Sequence, residues 1–313
     1  MENLTTFVSS RGILKSCDSH NKKPTSSSPH IDPNLIDHHR PGGSIYVCTD
    51  ALVNFAENFL PRIVCDFVLV SGDSDVPIAE ALLNHPAIKT LVESNYLISW
   101  YAQNLATKHP KLHHLPIGLD YHTMWERPGI WGMSAISPIA QENLLLNSYA
   151  ASPEFNQRYL AGYCNWHFAI HRGDRQECQE RIDKAVAFFE PTAVPRSSSW
   201  LRQAECMFVI SPEGAGLDCH RTWESLLLGN VPIVKRNSIA DLYNNLPVLI
   251  VEDWQKVNRE TMLAFIQVTA THKFDFSYLF REYWISKIRQ AESNLIDPMT
   301  LTEFRKFITR KTG

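Results

Sequence analysis

Between residues 211 and 234 the chain reads SPEGAGLDCHRTWESLLLGNVPIV. Gly214 and Gly216 let a backbone turn tightly and approach a ligand with no Cβ in the way. Asp218 is spaced to cap a following helix. A helix opening near Cys219 directs its free N–H groups and positive dipole end at whatever lies before it, which suits a phosphate. Arg221 falls in the first turn of that helix, where a planar guanidinium fits phosphate oxygens, and His220 sits beside it. Glu224 shares a face with Arg221 and has acceptor capacity for a diol such as a ribose. An isolated R-x-x-E is more often a surface ion pair of little consequence. Here it coincides with a Gly-rich loop, a strand end and a helix start, so a nucleotide-diphosphate cradle is the better reading.

A second basic run, NWHFAIHRGDR at 165–175, follows the strand-like YLAGYC. Asn165, His171, Arg172 and Arg175 come from it, and Arg172, in the loop itself, is the choice for added charge at a diphosphate. In the first half, DFVLVSGDSDVPIAE supplies the best carboxylates for general-base work. Asp73 and Asp75 both follow a strand end. Asp75 is well placed to cap a helix starting near Pro77, which leaves Asp73 favoured as base and His122 as the alternative. The same GDSD has the D-x-D form that can hold a divalent metal, but a second half with its own phosphate cradle has no need of one. No metal or other cofactor is therefore expected. Gln103, Asn104 and Asp120 are further strand-end polar groups, assigned to the side of the cleft facing the phosphate cradle, where a second substrate would lie. Arg11 and Gly12, in SSRGILKSC, are a weaker signal toward the same cleft.

These residues need a scaffold that brings strand ends together. Apolar strand-like runs alternate with amphipathic stretches: GSIYVC, DFVLVS, a helix over PIAEALLNHP, LISWYAQ and KLHHLPIG, then RYLAGYC, a helix over DRQECQERIDKAVAFF, CMFVIS, CHRTWESLLLG, VPIVK, IADLYNN and LPVLIVED. Such alternation predicts α/β sheets that are largely parallel. The Pro-, Gly- and Ser-containing stretch at 124–152 breaks the rhythm. It places one α/β domain over 1–152 and a second over 153–285, with a helical tail at 286–313 that packs back across the junction. Two such domains facing each other enclose a cleft, where ligands bind.

The totals exclude several classes. At 313 residues, 44% hydrophobic and 20% charged, the chain is a globular protein of two ordinary domains. A net charge of -3 gives no footprint for nucleic acid. No run approaches the ~20 apolar residues that cross a bilayer, so association with a membrane is expected to be peripheral at most. Seven cysteines without C-x-x-C spacing read as reduced thiols of a cytoplasmic protein. The polar KKPTSSSP at 22–29 reads as a surface loop.

The 211–234 stretch resembles the donor-binding motif of exostosin-like glycosyltransferases, in which a Gly-rich loop leads to R-x-x-E, a small-residue turn and P-I-V. The order VSGDSD, WYAQN, KLHHLPIGLD at 70–120 is similar to the first half of short members of that group. The resemblance implies the GT-B arrangement: two Rossmann-like domains facing a central cleft, the nucleotide sugar held mainly by the second. It implies Arg221 at the donor diphosphate, Glu224 at the ribose, and transfer of a sugar to a hydroxyl of a glycan or glycolipid acceptor. Retaining members of the wider fold often carry two glutamates seven residues apart. Glu213 and Glu224 do not have that spacing, which favours inversion. A nucleotide-sugar epimerase or hydrolase of the same fold, a metal-dependent transferase using Asp73 and Asp75, and a non-catalytic sugar-binding protein are the competing readings.

Overall fold

The computed structural model describes residues 1–290 and 297–312. Of the tail predicted at 286–313, positions 291–296 and 313 lie outside the described residues. Those residues build two wholly parallel sheets with helices around them, the α/β class that the alternation predicts.

In the first half β1 (Gly43–Cys48), β2 (Phe67–Gly72), β3 (Leu97–Ala102) and β4 (Leu112–His114) lie side by side in chain order. Successive side chains point to opposite faces. Ile45, Val47, Phe67 and Leu69 enter one core with helices Leu52–Asn58 and Pro86–Glu93. Right-handed crossovers that always step the same way put their helices on one face. Tyr46, Val68 and Val70, on the other face, need cover from elsewhere in the chain. It comes from helix Ser10–Leu14 and from the last third of the chain, whose Phe276, Phe280, Trp284 and Ile288 share their core. Val8 N–H donates to the Leu279 carbonyl at 2.8 Å, Phe7 pairs antiparallel with Phe280, and Tyr101 donates to the Lys287 carbonyl at 3.0 Å.

The second half contains β5 (Tyr159–Cys164), β6 (Ala187–Phe189), β7 (Cys206–Ile210), β8 (Val231–Lys235) and β9 (Leu249–Val251), in spatial order β6-β5-β7-β8-β9. The chain winds outward from β5 to β6, then jumps back past β5 and winds the other way. Such a doubly wound sheet opens a crevice where the direction reverses, beyond the ends of β5 and β7.

Two sequence readings change here. The helix predicted over DRQECQERIDKAVAFF stops at Arg181, and Ala187–Phe189 pairs with Gly162–Cys164 as β6. An apolar run that finds a strand edge is taken up by the sheet, whatever its local propensity. The helix predicted over PIAEALLNHP is two pieces, Glu80–Leu83 and Pro86–Glu93, because His85 before a proline is pushed to extended backbone, with ψ 130°. The loop at 22–29 lies at the surface as expected, and from it the Pro24 carbonyl accepts from Arg11 and Ser26 donates to Asp73.

Helix Pro138–Ala150, which precedes the predicted junction, joins the halves more than it separates them. It packs on helices Arg196–Gln203, His220–Leu227 and Leu301–Thr312. From it, Glu142 also accepts the Thr6 and Phe7 N–H groups and the Tyr121 hydroxyl.

The loop after β7 makes the other junction. Asp218 does not cap the helix that follows, whose N-cap is Cys219. Its carboxylate, in a side chain 3% exposed, accepts from Ile117 N–H at 2.8 Å, from Trp223 Nε1 and from the Tyr243 hydroxyl. Its own N–H donates to Asn104 Oδ1 at 2.9 Å. Asp218→Ala leaves three buried donors without an acceptor, and should cost about 3 kcal/mol or more in urea denaturation.

Candidate functional site

A cavity of about 750 Å³ opens between the halves at the β5–β7 reversal, within the size range of small-molecule sites. The loop after β5 contributes Asn165 and Arg172, the loop after β7 contributes Gly214 and Gly216, and the helix that follows that loop contributes His220, Arg221 and Glu224. From the first half, Asp75 and Asp120 line it.

The helix that carries Arg221 runs over His220–Leu227, and no side chain caps its start. Trp223, Leu226 and Leu227 are buried in the core, and Gly229, at φ 72°, ends the helix in the left-handed region. Arg221 donates to the Pro212 carbonyl at 3.2 Å and makes no ion pair with Glu224. Glu224 is turned instead to Arg196, which pairs with one carboxylate oxygen, while the Trp200 indole donates to the other at 3.1 Å. With both oxygens engaged and 6% of its surface exposed, Glu224 is not the free acceptor for a diol that its spacing suggested. It positions Arg196, whose guanidinium carbon lies 4.1 Å from the ring centroid of Trp131. Arg196 is a cavity residue that motif reasoning missed. It opens helix Arg196–Gln203 after Pro195, and nothing in its neighbours marks it as functional.

Of the basic run at 165–175, Arg172 is exposed on the cavity wall. Arg175 has a different role. It donates to the carbonyls of Trp166, Ala169 and Glu213, tying the two reversal loops together. Burial and then the charge of Arg221 bring its guanidinium down to about 10. The loops meet at Gly173, φ 54°, where a Cβ would lie 2.5 Å from the Gly214 carbonyl oxygen. Asn165 donates to Ser199 at 2.7 Å. Gly216 serves close packing between the halves, since a Cβ there would come within 3.0 Å of the Asn104 amide.

The first-half carboxylates are arranged differently from the sequence reading. Asp73, at φ 55° and 6% exposed, lies in a buried ion pair with Arg11 Nε at 2.8 Å and accepts from Ser26 at 2.8 Å. It does not line the cavity, so neither Asp73 nor Arg11 faces a ligand there. Asp75 does line it, exposed, and caps nothing, because the next helix opens at Glu80 with Ala79 as its N-cap. Gln103 is fully buried, holding Asp73 N–H and the Pro116 carbonyl. Asn104 is likewise structural, bonded to the Ser74 carbonyl and Asp218 N–H.

Asp120 is the buried first-half acid that reaches the cavity. Burial works to raise its pKa, but His220, His122 and Arg196, with Thr123 N–H, hold the carboxyl well below the usual carboxylate range. His122 Nδ1 lies 3.2 Å from Asp120 Oδ1, behind the wall, with Ser26 3.4 Å from its Nε2. His220 Nδ1 lies 2.7 Å from the Gly118 carbonyl oxygen. A carbonyl only accepts, so Nδ1 is the donor, and in the neutral ring Nε2 carries the lone pair.

No protein-family model matches the chain, and no curated protein matches it significantly.

The guanidinium groups of Arg172 and Arg221 have no carboxylate partner among the described residues, whereas Asp218 and Glu224 are saturated by internal donors. Surplus positive charge at an uncapped helix start suits an anion. Among the described residues, no three His, Cys, Asp or Glu side chains gather as metal ligands, and no helix is long and apolar enough to cross a membrane.

Because the folded pKa of Asp120 is depressed, its stabilisation is present above the ordinary value of 3.8 and fades as pH falls below it. Urea denaturation of wild type and Asp120→Asn from about pH 5 down to about pH 2 should show the wild type losing the larger share of stability.

Proposed function

We propose that the protein is a GT-B glycosyltransferase of exostosin-like type, moving a sugar from a nucleotide-diphosphate donor to a hydroxyl of a glycan or glycolipid acceptor. The observation that carries the reading is the cavity at the β5–β7 reversal, where Arg221 and Arg172 meet the uncapped start of helix His220–Leu227. A diphosphate there accepts from backbone N–H groups and guanidinium forks, as at other helix starts below Gly-rich loops. The likeness of residues 206–235 to the donor motif of that family supports the same placement.

The base in this reading is His220, not Asp73. The acceptor oxygen attacks the anomeric carbon while its proton passes to His220 Nε2. The bond from the anomeric carbon to the phosphate oxygen breaks, and the diphosphate leaves onto Arg221 and Arg172. Asp120 stabilises the imidazolium that forms, as a buried carboxylate near a histidine does. Attack opposite the leaving group inverts the anomeric centre. Asp73 is committed to Arg11 and Ser26, which speaks against a D-x-D metal clamp with Asp75.

A thermal-shift screen of nucleoside diphosphates should find one that raises Tm, since a ligand at about 100 times its Kd adds about 2.7 kcal/mol. Arg221→Ala should weaken that ligand about tenfold to a hundredfold, the worth of a charge-assisted hydrogen bond. Unchanged affinity would remove the cradle. His220→Gln should keep donor binding and lower kcat about 100-fold or more, with products compared with and without acceptor to separate transfer from hydrolysis. An unaltered kcat would move the base elsewhere.

A further inference from the structure

A second cavity, of about 390 Å³, lies away from the first, between helix Pro138–Ala150, helix Leu301–Thr312 and the start of β8. Its walls are of two kinds. Phe155, Phe274 and Phe304 make an aromatic lining, and Arg158, Arg305 and Tyr149 bring polar groups to it. Arg158 is 8% exposed. Two of its nitrogens donate to the Pro153 and Leu228 carbonyls, each at 3.1 Å. Neither arginine has a carboxylate partner among the described residues. Glu154, the acid on the wall, is exposed and pairs with neither. Burial brings Arg158 below its ordinary value, and Arg305 acts the same way, as a second cation facing the same space does, against the opposing pull of Tyr149 and Glu154.

The geometry points to a binding site for an amphipathic anion, a phosphate or carboxylate head on an apolar body, with its head between Arg158 and Arg305 and its body against the phenylalanines. The head supplies the missing negative charge, and guanidinium forks are well matched to both oxyanions. The body takes the place of water on the aromatic wall. Inorganic phosphate alone has only half of this complement. The exposed face of helix Leu301–Thr312 carries Lys306 and Arg310 beside Arg305, so the ligand can be presented from a lipid surface or from solution. The first cavity is not involved: the two lie at opposite ends of helix His220–Leu227, which gives Arg221 to one and Leu226 to the other.

The test is calorimetric titration of the full chain with octyl phosphate, inorganic phosphate and octanol. Octyl phosphate should bind one per chain, at least tenfold more tightly than either half-ligand. Arg305→Gln, an exposed side chain whose loss leaves the fold intact, should weaken it about tenfold, and Ala150→Trp should block it sterically. Equal affinity in wild type and both variants, or no octyl phosphate binding by a folded wild type, overturns the site. Co-sedimentation with phosphatidic-acid vesicles, lost in Arg305→Gln, assigns the ligand to a membrane. Binding of octyl phosphate without vesicle binding assigns it to a soluble amphiphile.

Discussion

One carboxylate fixes how the two sheets face each other. Asp218 sits at the tip of the loop after β7 and takes hydrogen bonds from Ile117 in the first half and from Trp223 and Tyr243 in the second. Burial raises its pKa, and the three donors work against that rise. A buried acceptor so completely satisfied specifies one arrangement, because any shift of the halves strands a donor in apolar surroundings. Everything at the cavity inherits its position from this contact. His220 is two residues on and reaches the Gly118 carbonyl, one residue past the Ile117 that Asp218 holds.

The second sheet then decides where charge collects. A doubly wound sheet leaves the loops after β5 and β7 side by side, and here they are laced by Arg175 and by the close approach at Gly173. With Arg175 used as a strut and Glu224 tied to Arg196, the guanidinium groups of Arg221 and Arg172 are left for a ligand. Acidic residues are as numerous around the cavity as basic ones, yet most are already satisfied by the protein. Counting charges along the sequence misses this, because what matters is which charges have partners.

The parallel sheets and the cavity loops were legible because strands buried on both faces are continuous apolar runs and because glycines mark close backbone approach. Arg221, Arg172, Asn165 and His220 reach the cavity for that reason. The misreadings share a cause. Asp73 looked like a base because its partner Arg11 lies far off in the chain, and Glu224 looked free because Arg196 does. Asp218 looked like a cap since local spacing cannot show that Ile117, about a hundred residues earlier, claims it. The strand β6 was lost for the same reason: only its neighbour β5 makes Ala187–Phe189 a strand.

The path of the chain sets an order on its assembly. The face of the first sheet carrying Tyr46, Val68 and Val70 is closed by Phe276, Phe280 and Trp284, more than two hundred residues downstream. During synthesis the part of that face left open by helix Ser10–Leu14 stays wet until residues 276–284 have been made. Until then the first half carries exposed apolar surface of the kind that drives wrong contacts in partly folded chains.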